Sequence, residues 1–204
     1  MNPRSIEEIR RLLNEALTFN KTEQAKELAR EGFFVARQKE LLGPMEYFQG
    51  ELALIEDDFD VALKHFDKAI QFDPADGEVY NDKAICLAEL GYEQEALDCF
   101  DQGIEAAVAY APLYNNKGWL LIQMGRYEQA LESCRKSLKY DPGSPVVYAN
   151  IAAAQEKMND IEGALSNLER ALVFLAAEDQ EARDWILSRI ENLKGKQGEG
   201  ENDK

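Results

Sequence analysis

A step of 34 residues runs through this chain and dictates most of what it can become. It separates Tyr80, Tyr114 and Tyr148, and it separates Ala62, Ala96, Ala130 and Ala164. Leu63, Leu97, Leu131 and Leu165 keep the same step, as do Ile70, Ile104, Leu138 and Leu172, and Gly50, Ala84, Gly118 and Ala152. Columns that share one register without an insertion mean one supersecondary unit copied along the chain, each copy covering its neighbour's apolar face. Strand-like alternation is scarce, and Ala, Leu, Glu and Lys fill the periodic segments, so the unit is helical.

Each column has a chemical reason. The Gly50 column falls in a first helix opposite the Ala62 column of a second, and small side chains at both places let antiparallel helices approach closely. Phe66, Phe100, Cys134 and Leu168 follow each Ala by one helical turn on the same face, and are expected to fill the space between neighbouring units. Asp57, Gly91, Gly125 and Asn159 mark the turns inside units, where Gly and Asn tolerate left-handed backbone. Asp73-Pro74 and Asp141-Pro142 close two units, because a residue before Pro resists helix.

An aromatic, then a small residue, then Ala-x-x-x-Phe and a closing Pro is readable in Tyr80, Ala84, Ala96 and Phe100, and in Tyr114, Gly118, Ala130 and Pro142. That pattern resembles the tetratricopeptide repeat family. The resemblance implies an all-α, right-handed superhelical solenoid of antiparallel helix pairs. Four units are expected over 43–76, 77–110, 111–144 and 145–178, together 43–178. Residues 5–42 read as a degenerate N-terminal pair, opened by capping boxes at Ser5-Ile6-Glu7-Glu8 and Asn20-Lys21-Thr22-Glu23. A capping helix is expected over 179–194, from the helical spacing of Ala182, Trp185, Ile186, Ile190 and Leu193. The Gly-rich, charged stretch 195–204 is expected to be disordered.

Lys plus Arg number 23 against 39 Asp plus Glu, a formal net charge of −16. That field repels a phosphate backbone, so nucleic acid is an unfavourable partner and a basic or neutral peptide a favourable one. Cys86, Cys99 and Cys134 form no C-x-x-C pair, which suits a reducing compartment, and Cys99 reads as the exposed thiol. The first residues hold charges where a signal peptide needs an apolar run, and no stretch is long enough to span a membrane. A cytoplasmic location is expected.

Little in the chain resembles catalytic chemistry. His65 is a lone histidine without the partners of a triad or zinc site. Glu56-Asp57-Asp58-Phe59-Asp60 lacks the Gly and distal Glu of a calcium loop and coincides with a repeat turn. No phosphate loop occurs, and neither enzyme activity nor a cofactor is expected.

The resemblance implies that the first helix of each unit lines a concave groove. The groove-facing residues are then Tyr47, Phe48 and Glu51, next Asn81 and Asp82, next Asn115, Asn116 and Trp119, and last Asn150. Asp82, Asn116 and Asn150 form a 34-residue column, and an Asn amide can both donate to and accept from a peptide main chain. Tyr47, Phe48 and Trp119 are expected to be apolar anchors. Members of the family that grip the C-terminal carboxylate of heat-shock chaperones use a basic residue and Asn in one unit, Asn in the next and two basic residues in the third. Here those places hold Tyr47 and Glu51, then Asp82, then Pro112 and Asn116, so that ligand is not expected. The expected function is an adaptor or scaffold that binds a protein or peptide segment. A dedicated chaperone for an exported or assembling client, and a self-assembling scaffold, are the alternatives.

Overall fold

The structure, a computed structural model, describes residues 4–107, 109–177 and 179–202, and every regular element among them is an α-helix. The chain forms two compact units, residues 1–108 and 109–204.

Unit 1 holds α1 (Ile6–Thr18), α2 (Thr22–Gln38), α3 (Leu42–Ile55), α4 (Phe59–Phe72), α5 (Gly77–Glu89) and α6 (Glu93–Ala106), each packed on the next. Ser5 opens α1 as the capping box demands, its side chain accepting from the Glu8 N–H at 3.1 Å. The second capping box does not form. Asn20 instead takes the left-handed conformation that ends α1, at φ 52°, and Lys21 precedes α2 without a side-chain cap. Asn is the residue best suited to that bend after Gly, so its backbone tolerance wins over its capping ability. Asp58 caps α4 through the Val61 N–H, and Asp76 caps α5 through the Glu78 N–H at 3.2 Å.

The core of unit 1 runs through Ile9, Leu13, Ala25, Ala29, Phe48, Ala62 and Phe66. A Cβ on Gly50 would stand 2.5 Å from the Phe66 ring, so the Phe66 side chain fills the space over the small residue of its own helix pair. The close approach of α3 and α4 leaves room for one ring and no more.

Unit 2 holds α7 (Ala111–Gln123), α8 (Tyr127–Tyr140), α9 (Pro145–Lys157), α10 (Ile161–Phe174) and α11 (Gln180–Asn202). Pro112 and Pro145 sit in the first turns of α7 and α9, where a missing N–H costs nothing. Two hydroxyls tie α8 to α7: Ser133 Oγ donates to Tyr114 O at 2.8 Å, and Ser137 Oγ to Ala111 O at 3.0 Å. Tyr148 stacks flat on Phe174 at 5.5 Å while its hydroxyl donates to Pro142 O. Ile186, Ile190 and Leu193 of α11 pack with Ala164, Leu168 and Ala171 of α10.

The helix α11 continues past Lys194 to Asn202, where the sequence reading ends it and expects disorder. A Gly inside a helix costs about 1 kcal/mol against Ala but does not remove a backbone donor, and no Pro intervenes. Residues 203 and 204 of that stretch lie outside the described residues.

The turn column is left-handed throughout, with Asp57 at φ 58°, Gly91 at 80°, Gly125 at 73° and Asn159 at 62°. Gly meets this requirement without a Cβ penalty, and Asp and Asn meet it better than other side chains.

Candidate functional site

In unit 1 the first-helix residues do not form an open surface. Tyr47 is 1% exposed, Phe48 0% and Glu51 1%, and Asn81 is also buried. The expectation of Tyr47 and Phe48 as surface anchors is therefore corrected. Phe48 lies against Gly32 of α2, the small residue that admits its ring. Tyr47 lies beneath Arg10 of α1, whose guanidinium carbon stands 3.9 Å from the ring centroid.

Arg10 reaches from α1 to the start of α5. Its Nη2 is 2.6 Å from Asp76 Oδ2 and its Nε 3.0 Å from Glu78 Oε2, the second an ion-pair distance without hydrogen-bond alignment. Asn14, one turn on, donates to Glu78 Oε1 at 2.5 Å. Asp76 thus serves twice, with Oδ1 capping α5 and Oδ2 holding the guanidinium.

Below this contact lie the carboxyls of Glu51 and Asp82. Burial pushes Asp82 up to about 7, and the nearby Glu78 charge adds to the shift. Burial likewise raises Glu51 well above the usual carboxylate range, with Asp82 and Glu78 as further causes. Near neutral pH the pair holds a proton between them, which a hydrogen bond from one carboxyl to the other accommodates. Tyr47 Oη is buried without a hydrogen-bond partner from the protein. Glu51 and Asp82 were legible on this face from the sequence, whereas Arg10 and Asp76, which close it, were not. The only signal was the charge of α1, whose partner lies more than 60 residues away.

Unit 2 carries a different face. Asn150 Nδ2 donates to Asn115 Oδ1 at 2.9 Å, and Asn115 Nδ2 donates to Asn116 Oδ1 at 3.0 Å. This ladder fixes how the amides point, because Asn115 accepts from Asn150 and donates to Asn116. Trp119, one turn further along α7, is 43% exposed, and Val146 on α9 is 58% exposed. The structure brings Asn115, Asn116, Trp119 and Asn150 together here, each at least half-buried except the Trp.

The remaining candidates are structural. Cys99 is buried, with its Sγ donating toward Tyr80 O, and burial pushes its thiol up to about 11, so the exposed-thiol reading is corrected. It sits on the face of α6 that packs on α5, the same face as Phe100 and Ala96. His65 is half-buried, its Nδ1 2.7 Å from Glu46 Oε2. Among the described residues no group of His, Cys, Asp and Glu could hold a metal ion, and no helix is long and apolar enough to cross a membrane.

Residues 111–144 match the family model of the tetratricopeptide repeat. Together with helix pairs of this form along the chain, that match gives the chain the fold of tetratricopeptide repeat proteins.

Solved tetratricopeptide structures superpose over most of its length. A thermophilic tetratricopeptide protein of Thermus thermophilus matches at 18% identity and a TM-score of 0.74, covering 90% of this chain and 98% of that one. YrrB, a tetratricopeptide protein with an unusual peptide-binding site, matches at 17% identity and 0.57, covering 90% and 92%. MamA from Desulfovibrio magneticus matches at 19% identity and 0.59, covering 85% and 97%. At such identities the likeness is one of fold. No curated protein matches the chain in sequence.

Proposed function

We propose that this chain is an interaction module that binds an extended peptide segment of a partner protein along the unit 2 face of α7 and α9. The observation that carries the reading is Trp119, a large aromatic left 43% exposed beside the Asn150–Asn115–Asn116 ladder. Exposed tryptophans flanked by oriented polar groups are the usual energetic centres of protein interfaces. The amides give the peptide main chain a donor and an acceptor, while the indole takes an apolar side chain. YrrB, which shares the fold, has a peptide-binding site, and that precedent supports the reading. With a net charge of −16, a basic or neutral segment is the favoured ligand.

An affinity capture with the full chain as bait, repeated with Trp119→Ala and with Asn115→Ala/Asn150→Ala, tests this. A partner held by the unmodified chain should be lost or weakened about tenfold or more by either change, since two lost hydrogen bonds cost about 2 kcal/mol. Equal capture by all three proteins, with unchanged melting curves, would remove the unit 2 face from consideration.

A further inference from the structure

We infer that the recess in unit 1 formed by Tyr47, Glu51, Asp76, Glu78 and Asp82 is a recognition site for an arginine side chain, filled in cis by Arg10 and open to an arginine-bearing helix of a partner when α1 lifts. The inference rests on the interaction-module reading and names a second face for it, on a different unit.

The recess is built around a guanidinium. A planar fork of donors meets Asp76 and Glu78 from one side, at 2.6 and 3.0 Å, and lies over the Tyr47 ring at 3.9 Å. Carboxylates at the edge and an aromatic face below are the two features by which Arg is told from Lys. Behind them, Tyr47 Oη remains buried and unpartnered by the protein, Glu51 and Asp82 share a proton, and Arg10 lowers the cost of charge on both carboxyls. A buried polar atom without a partner costs free energy that packing alone does not explain. The Tyr47 hydroxyl is thus a polar group that the single side chain now in the recess leaves unused.

The occupant is attached by a terminal helix. Among the elements of unit 1, α1 packs extensively on α2, through Ile9, Leu13 and Ala16. Its hold on α5 consists of the Arg10 and Asn14 contacts with Asp76 and Glu78. An amphipathic helix carrying one Arg over an apolar stripe is the ligand that copies this arrangement. The acidic recess selects against an anionic partner.

The test uses the full chain and a fluorescent peptide of residues 4–19, with a second peptide in which Arg10 is replaced by Ala. Titrations by fluorescence anisotropy compare the unmodified chain with its Arg10→Ala variant. Loosening the cis contact raises the fraction of molecules with the recess open, so the arginine peptide should bind the variant about tenfold more tightly than the unmodified chain. The alanine peptide should show no such preference. Equal binding of both peptides to the variant overturns the inference, because the recess would not be reading a guanidinium. Binding of neither peptide overturns it too, since α1 would then be a permanent part of the core. A doubling of mass on size exclusion without peptide would assign the recess to α1 of a second copy and refute the partner. If Arg10→Ala does not fold, Arg10→Lys keeps the charge, loses the fork, and must show the same preference. Failure here leaves the Trp119 face of unit 2 untouched, and the two readings fall separately.

Discussion

A methyl group placed on Gly118 would stand 2.6 Å from the Sγ of Cys134. The two residues belong to facing helices, α7 and α8, and each has the size that the other permits. Gly118→Ala gains about 1 kcal/mol in helix propensity, but overpacking of this kind costs about 1–3 kcal/mol, and the rigid helix contact favours the cost. We expect a net loss of stability of up to about 2 kcal/mol in urea unfolding. Combining it with Cys134→Ala should return most of that loss, a positive coupling in a double-mutant cycle. Strict additivity of the two changes would show that the contact is relieved elsewhere.

A second expectation concerns pH. Asp82 has its carboxyl raised by burial from 3.8 to about 7, and Glu51 is raised in the same direction. The folded chain therefore binds more protons than the unfolded chain between those values, so stability falls as pH rises through that window. Melting temperature should be higher near pH 5 than near pH 8. The general repulsion of an acidic chain gives a slope of the same sign, so the comparison with Asp82→Asn isolates the group. That variant should show a visibly shallower fall; an identical slope would mean the Asp82 carboxyl stays ionised in the fold.

Much of the fold was legible because the repeat puts the same physical demand on the same column in every copy. The left-handed turn residues Asp57, Gly91, Gly125 and Asn159 are an example: four different copies solve one backbone problem with the three residue types suited to it. The candidate site was legible only where a residue's surroundings come from its own repeat. Asn115, Asn116 and Trp119 sit on a first helix, with the two Asn half-buried and Trp119 exposed. Tyr47 and Glu51 occupy equivalent columns but are covered by α1, whose placement is set by an Arg10 contact that no periodicity announces. Asn20 failed for a related reason, since capping and left-handed bending are both open to Asn and the choice depends on where the previous helix stops.

Trp119 separates binding from stability. As an indole 43% exposed, it should be replaceable by Ala within about 0.5 kcal/mol of the parent's unfolding free energy, the range of surface changes. Phe66→Ala, at a fully buried ring, should cost about 3–5 kcal/mol in the same assay. A Trp119→Ala penalty approaching that of Phe66 would make the indole a packing residue.

Because Arg10 already spans Asp76, Glu78 and the Tyr47 ring, an arginine from outside enters that recess as a replacement. One guanidinium leaves and another arrives, so the count of ion pairs and the dehydration of the carboxylates stay the same. Affinity gained by such an exchange comes from the side chains flanking the arginine, and it should respond weakly to salt even though the recess is strongly charged. In a chain this acidic, a strongly negative recess is then unable to act as a simple electrostatic trap.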